Sequence, residues 1–168
     1  QVLCRGDQTY YVMHDSMNDL ALHVSRGECF RFESVDNNCM VVLPHYIRHL
    51  SVSAEQLGDL VNYDGLGRLR TFIVLNESWF CSKVCLSQDI LNKLKSVRVL
   101  DASGCCFESL PEAINDLIHL RYLAIRRTYY PLPTTISRLN HLQALFVQYH
   151  SCYPLKISCS NNREHLKY

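Results

Sequence analysis

A hydrophobic pattern recurs along the chain at nearly constant intervals. Three regular units carry apolar residues at positions i, i+3 and i+5, and they begin at Val97, Leu120 and Leu142, so the two intervals differ by a single position. Two less regular units begin at Ile47 and Leu69, which have the same separation as Leu120 and Leu142. Because these apolar segments are short and bounded by turns, they predict five strands rather than amphipathic helices.

Two of the regular units continue into a second apolar segment of shared form. Leu110-Pro111-x2-Ile114-x2-Leu117 returns after the same interval as Leu132-Pro133-x2-Ile136-x2-Leu139. One such unit cannot bury its own leucines, whereas stacked units bury a continuous core in which each enclosed Leu or Ile contributes about 1.5 to 3 kcal/mol. The predicted fold class is therefore α/β, as a leucine-rich-repeat solenoid with a concave sheet.

The outward side chains of that sheet are candidates for protein binding. Arg and Tyr dominate binding hot spots, and both occur at outward positions of the regular units. The candidate residues are Arg98, Asp101, Arg121, Tyr122, Arg126, Gln143, Phe146 and Tyr149. Arg121, Tyr122 and the pair Arg126-Arg127 form a basic and aromatic patch suited to an acidic protein surface. Each of these residues taken alone also fits an ordinary solvated face.

The N-terminal part of the chain, up to Val24, follows a different pattern. Residues 2–4, a turn at residues 5–7 and residues 8–13 predict a β-hairpin. From Met13 to Val24 the apolar residues follow the spacing of one helical face. Asp15 is placed to cap this helix by accepting a hydrogen bond from a first-turn N–H group. On local evidence alone, His14 is a corner residue beside an N-cap.

Composition narrows the classes of partner. The 168 residues include 17 basic and 16 acidic side chains, and the net charge of +1 gives no general reason to expect nucleic acid or anionic membranes as partners. The longest purely apolar run, residues 40–43, is too short to cross a bilayer. No secretory signal is visible, and a chain that begins with Gln1 is expected to be a piece of a longer protein.

The nine cysteines bear on compartment and metal binding. Their odd number and irregular spacing favour a reduced, intracellular protein. The nearest approach to a zinc motif is Cys81-x3-Cys85, which has no second pair of ligands at a useful distance, so no metal site is predicted. The glycosylation-type tripeptide at residues 76–78 is attributed to composition in such a compartment.

The order of these elements resembles a known family. A strand, Met13-His14-Asp15, an amphipathic helix, a polar interval, Ile47-Arg48-His49-Leu50 and a leucine-rich array resemble the NB-ARC leucine-rich-repeat (NLR) disease resistance proteins of plants. The repeats LPEAINDLIHLRYL and LPTTISRLNHLQAL resemble the coiled-coil class of that family. The resemblance covers residues 2–149. It implies that residues 1–33 end a winged-helix region, 34–46 form a linker, 47–150 form the repeats and 151–168 an irregular tail.

The resemblance also implies roles for particular residues. His14 would approach the β-phosphate of bound ADP in the resting state, and Asp15 would fix the corner. The repeats would contact the nucleotide-binding domain in autoinhibition and would recognise a pathogen effector or a guarded host protein, in the cytoplasm. Ser16 departs from the family, which usually has an apolar residue there.

One absence limits what this chain is expected to do alone. The family's phosphate-binding G-x4-G-K-[ST] stretch does not occur in it. ADP or ATP is therefore expected only in the complete parent protein, and the chain is not expected to be an enzyme.

Three other functions compete with this one. A stand-alone leucine-rich-repeat adaptor would explain the array and leave residues 10–24 unexplained. A DNA-binding winged helix would need a recognition helix and a basic stripe, and neither is visible. A hydrolase would need a nucleophile elbow or another organising motif, which the Ser, His and Asp residues of this chain do not supply.

Overall fold

The strands in the described part of the chain form two separate sheets. The computed structural model describes residues 2–5, 8–11, 13–32, 43–75, 86–128 and 132–149. Within them, β1 (Val2–Arg5) and β2 (Gln8–Tyr11) pair as an antiparallel hairpin, as the sequence predicts. The second sheet contains six parallel strands, which are β3 (Cys29–Phe32), β4 (His49–Ser53), β5 (Thr71–Leu75), β6 (Val99–Ala102), β7 (Tyr122–Thr128) and β8 (Ala144–Tyr149).

The order of the strands in the large sheet is their order in the chain. Each strand pairs only with the strand before it and the strand after it. Residues at equivalent positions of the repeated pattern face one another, as Leu50 faces Phe72, Phe72 faces Leu100 and Leu100 faces Leu123. β4 to β8 occupy the five predicted strand units, and the α/β class is confirmed.

The core lies on one face of this sheet. In β4, for example, Leu50 and Val52 are buried while the residues between them are half-exposed. The chain returns along the buried face through short helices that supply further apolar side chains, such as Leu57 and Ile114. These are 3-10 helices at Ala54–Asn62, Asp64–Arg68, Glu112–Asp116 and Thr134–Arg138, and the α-helix α2 at Gln88–Lys93.

Helix α2 also connects two units by hydrogen bonds. It begins after Ser87, whose Oγ accepts a hydrogen bond from the N–H of Ile90 at 3.4 Å. In its last turn, the Lys93 ammonium donates to the carbonyl oxygens of Val61 at 2.6 Å and Tyr63 at 3.2 Å. These carbonyls lie at the C-terminal end of the 3-10 helix Ala54–Asn62, so Lys93 satisfies acceptors that this helix leaves open.

Helix α1 (Asp15–Val24) stands apart from this core. None of its residues is buried, and Met17, Leu20 and Val24 are each more than half exposed. The side chains of the predicted apolar face are therefore exposed, and no described residue covers them. After the helix, Arg26 and Gly27 both adopt left-handed backbone conformations, which turn the chain toward β3.

The repeat pattern does not predict β3. In the sequence its residues fall in a polar interval, but Phe30 pairs with Leu50 and Phe32 with Val52, so the segment adds a sixth strand to the sheet. Phe32 is 4% exposed, and its ring makes an edge-on contact with Tyr63. The segment has two inward apolar residues, but Gly27 stands where the other units have their first apolar residue. The repeat therefore cannot be detected in the sequence of this segment.

Candidate functional site

His14 is the N-cap of helix α1. Its backbone is extended, its carbonyl accepts hydrogen bonds from the N–H groups of Met17 and Asn18 at 2.9 Å, and its Nδ1 atom accepts from the N–H of Ser16 at 3.3 Å. The prediction that Asp15 caps this helix is therefore wrong. Asp15 is the first helical residue, where its negative charge lies near the positive end of the helix.

The cap fixes the chemistry that the His14 ring offers. Because Nδ1 accepts a hydrogen bond, the neutral ring carries its proton on Nε2. The ring is exposed, so the Nε2–H group is left to donate to an acceptor outside the described residues. A corner that joins an N–H donor to a helix N-terminus is suited to an anionic oxygen.

The second set of predicted residues lies on and beside the exposed side of the six-stranded sheet. We call this side the open face and define it by the residues that alternate with the buried ones in β4 to β8, such as Ser51, Ile73, Asp101, Ala124 and Phe146. Of the predicted binding residues, the open face includes Asp101, Tyr122, Arg126 and Phe146. Tyr149 ends β8, but its side chain lies outside the described residues.

Arg98, Arg121 and Gln143 lie at the edge of the sheet rather than on the open face. Each immediately precedes its strand and is exposed. The N–H of Arg121 donates to the carbonyl of Arg98 at 2.8 Å, and the N–H of Gln143 donates to that of Arg121 at 2.7 Å. The structure thus brings these three predicted residues into one row.

The same row contains two arginines that were not among the predicted binding residues. The N–H of Arg70 donates to the carbonyl of Arg48 at 2.7 Å, and the N–H of Arg98 donates to that of Arg70 at 2.8 Å. We call Arg48, Arg70, Arg98 and Arg121 the arginine ladder. The signal is present in the sequence, since an arginine follows the first apolar residue in four of the five units.

The electrostatics of the ladder are unbalanced. Neighbouring strands lie about 4.8 Å apart, and equivalent positions of parallel strands send their side chains the same way. Arg70, Arg98 and Arg121 are exposed, and within the described part of the chain no carboxylate pairs with any of the four guanidinium groups. Arg48 instead donates to the carbonyl of Arg68 at 3.2 Å.

Near the end of the sheet, the open face is aromatic. The rings of Tyr122 and Phe146 lie 5.4 Å apart with their planes tilted by 40°. Arg126 donates from Nε to Oε1 of Gln148 at 2.7 Å. Burial, with a smaller contribution from the Asp101 carboxylate, raises the pKa of the Tyr122 hydroxyl. That hydroxyl therefore remains protonated over the physiological pH range.

The cysteines depart in part from the sequence prediction. Cys29 and Cys105 are thiols, the first exposed and the second buried. Cys106 is disulfide-bonded. At Cys106 the structure thus departs from the prediction of a mainly reduced chain, which a single bonded cysteine does not overturn.

The described residues contain neither a cluster of metal ligands nor a membrane-spanning helix. Among them, no three His, Cys, Asp or Glu side chains come together as a set of metal ligands. No helix in the same part of the chain has the length and hydrophobicity to cross a membrane.

Sequence comparison places the chain among known proteins. It is 35% identical over 147 residues to the disease resistance protein At3g14460 of Arabidopsis thaliana, which covers 83% of this chain and 10% of that protein. It is 33% identical over 152 residues to the disease resistance RPP13-like protein 3 of the same plant, covering 84% of this chain and 17% of the relative. The chain belongs to the plant disease resistance proteins.

A relative from a second plant genus extends this comparison. The disease resistance protein RGA1 of Solanum bulbocastanum is 30% identical over 123 residues, which is 73% of this chain and 10% of that protein. No protein-family model matches the chain. The chain thus spans between 10% and 17% of the lengths of these disease resistance proteins.

Proposed function

We propose that the chain is the part of a cytoplasmic plant immune receptor that joins a nucleotide-sensing corner to a protein-recognition surface of leucine-rich repeats. The recognition surface comprises the arginine ladder and the open face. In the resting receptor it contacts the nucleotide-binding domain and keeps the receptor inactive. In defence it binds a pathogen effector or a guarded host protein.

The arginine ladder is the observation that carries the recognition function. Like charges that face one another on neighbouring strands are destabilising, by up to about 1 kcal/mol for each pair. Four arginines in one row therefore cost folding stability, and no described carboxylate offsets that cost. An acidic protein segment laid along the row would offset it, because each guanidinium can bind a carboxylate through two N–H groups.

Binding of the 168-residue chain to a synthetic dodecapeptide rich in glutamate tests this function. We expect saturable binding that weakens as salt is raised, because exposed charge pairs are screened. The double variant Arg48→Glu with Arg70→Glu should lose most of the affinity. Its matched control is Lys95→Glu with Arg138→Glu, which changes the net charge equally at exposed positions away from the ladder. Equal loss in both variants would reduce the ladder to general charge attraction and overturn the proposal.

The geometry at His14 supports the proposed nucleotide-sensing function. The hydrogen bond from Ser16 to Nδ1 leaves Nε2–H as the donor, and the helix N-terminus lies beside it. In the complete receptor this donor would bind a phosphate oxygen of ADP, with Asp15 holding the first turn in place. The remaining phosphate contacts would come from the parent protein, since one imidazole and one helix end cannot replace a phosphate cradle.

ADP titration of the isolated chain tests that division of labour. We expect no saturable binding of ADP at millimolar concentration, and we expect His14→Ala to leave the result unchanged. Tight ADP binding by the isolated chain would contradict the proposal that the rest of the phosphate site lies elsewhere in the receptor.

A stand-alone repeat adaptor is the alternative function. It uses the same recognition surface and assigns no role to His14. The two proposals differ in whether a change at His14 alters nucleotide retention in the parent protein.

A further inference from the structure

The open face carries one aromatic cluster that the arginine ladder does not explain. Phe146 is 46% exposed, which is unusual for a large aromatic side chain on a sheet that buries its other face. Tyr122 is half-buried beside it, with the ring centres 5.4 Å apart. We call Tyr122, Ala124, Ala144 and Phe146 the aromatic shelf.

The pairing of β7 with β8 builds this shelf. Tyr122 faces Ala144 and Ala124 faces Phe146, so that each aromatic residue stands opposite an alanine. The two rings therefore occupy diagonal positions and meet over the small side chains. Ala124 is only 6% exposed as a result, and the ring surfaces rather than the backbone face the solvent.

Polar and charged groups surround the shelf. Arg126 lies two positions beyond Ala124 on β7, and its guanidinium is held through Nε by Gln148 while its other N–H groups have no described carboxylate partner. Arg98 and Arg121 lie at the edge of the sheet on the other side. Asp101 is the opposing charge, and its Oδ1 atom already accepts a hydrogen bond from the N–H of Ser103 at 2.9 Å.

We propose that the aromatic shelf binds a protein segment in which a large apolar side chain stands next to a carboxylate. The apolar side chain would pack on the Tyr122 and Phe146 rings, and the carboxylate would bind the N–H groups of Arg126 that have no described carboxylate partner. Aromatic anchors within a polar rim form the usual centre of a protein interface. Three guanidinium groups against one carboxylate make the rim complementary to an acidic partner. The inference rests on the proposed recognition function and names the chemistry of the partner at one position.

The Tyr122 hydroxyl adds to this chemistry. Because burial and Asp101 raise its pKa, it remains an O–H donor and can serve the same carboxylate or a backbone carbonyl of the partner. Its contribution would be directional, whereas that of Phe146 is packing alone.

Selection from a random dodecapeptide library displayed on phage tests the inference with a defined probe. Peptides are selected on the 168-residue chain and counter-selected on its Phe146→Ala variant. We expect the retained peptides to share a Trp, Phe or Leu adjacent to an Asp or Glu. A selection that yields no enriched peptide, or peptides without this pair, would overturn the inference.

Titration of the enriched peptides against variants gives the quantitative test. Phe146→Ala should weaken binding about tenfold or more, and Arg126→Gln should weaken it several-fold. Ile118→Ala is the matched control, since Ile118 is 59% exposed and lies outside the shelf, and it should leave the affinity unchanged. Circular dichroism should show that all three variants fold like the wild type. Equal binding by wild type and a folded Phe146→Ala variant would contradict the shelf.

The ladder variant separates this inference from the proposed function. Arg48→Glu with Arg70→Glu changes residues three and two strands away from β7, so it should lose most of the affinity for the glutamate-rich peptide and keep its affinity for the shelf peptides. If the ladder variant loses its peptide while Phe146→Ala loses nothing, the shelf is wrong and the ladder stands. If only Phe146→Ala loses binding, the ladder is wrong and the shelf stands.

Discussion

The N-terminal corner and the strand array are built by different means. Helix α1 has no buried residue, and its start is fixed by local hydrogen bonds to His14. The array has a continuous core in which residues such as Leu100 and Leu123, from successive strands, are fully buried. Chemistry at the corner is therefore local, whereas any residue of the array depends on the units on either side. Changes should accordingly be confined in the first region and cooperative in the second.

The largest effect is expected from a charge placed inside the array. Leu123→Asp puts an unpaired carboxylate at a position that is 0% exposed, between β6 and β8. We expect a loss of at least about 4 kcal/mol, which unfolds the neighbouring units together. A thermal melt followed by circular dichroism measures this loss.

The same substitution in the corner provides the contrast. Leu20 is 52% exposed on α1, so Leu20→Asp should change stability by no more than about 0.5 kcal/mol. A melt of Leu123→Asp that matches those of Leu20→Asp and wild type would remove the distinction between the two regions.

Gly104 tests how closely the units approach. A Cβ atom there would lie 2.9 Å from the carbonyl carbon of Leu75 and would overlap the carbonyl oxygen of Val74, both on the preceding unit. Since backbone cannot move aside as a side chain can, Gly104→Ala should cost about 3 kcal/mol in urea unfolding. Gly58→Ala is the control, because a Cβ atom at Gly58 would meet nothing within 4 Å, and it should be neutral or slightly stabilising. Equal urea midpoints for the two variants would contradict this packing.

Lys93 tests the polar connection between units. Lys93→Met keeps much of the aliphatic stem and removes the ammonium that serves the carbonyls of Val61 and Tyr63. We expect a loss of about 2 kcal/mol in the free energy of unfolding, because hydrogen bonds to a charged donor are lost. The exposed Lys95→Met is the matched control and should have almost no effect. A smaller loss for Lys93→Met than for Lys95→Met would show that the ammonium does not support the array.

The smallest stability effect is expected at His14. His14→Ala removes the side-chain cap of α1, which should cost that helix about 1 kcal/mol or less. Hydrogen exchange should therefore quicken at the amides of Ser16 and its neighbours, while the amides of β4 to β8 exchange as in wild type. Faster exchange throughout the array would mean that corner and array form one cooperative unit.

The repeated part of the fold was predictable because one physical constraint acts five times. Each strand from β4 to β8 must bury alternate residues against its neighbours, which imposes the same apolar spacing on five segments. The sequence pattern did not predict β3, because this strand ends the sheet and packs through Phe30 and Phe32 alone. The sequence did not identify His14 as the N-cap, because Asp has the higher intrinsic preference for that position. In the structure the backbone of the corner places the His14 ring over the first turn instead.

The sequence predicted which residues lie on or beside the exposed side of the sheet, but it did not predict how they are arranged there. The predicted Arg98, Arg121 and Gln143 do lie in one row, yet the row extends to Arg48 and Arg70, in units whose second halves depart from the pattern. The diagonal contact of Tyr122 with Phe146 depends on the register of β7 and β8. The spacing of the apolar residues suggests this register only if the strands are already known to pair in sequence order. The disulfide at Cys106 had no sequence signal, since cysteine spacing does not determine pairing.

The central claim is that this chain joins a nucleotide sensor to a recognition surface. Nucleotide retention by the complete parent receptor tests this claim most directly. Parent proteins carrying wild-type, His14→Ala, Asp15→Val or His23→Ala sequences would be purified, and their bound ADP and resting signalling output measured. His23 is the matched control, as an exposed histidine in the last turn of the same helix. If His14 binds ADP only in the closed state, its loss shifts the population toward the open state. We predict less bound ADP and higher resting output for His14→Ala and Asp15→Val, with His23→Ala like wild type. Equal ADP occupancy and equal resting output in all four proteins would contradict the account.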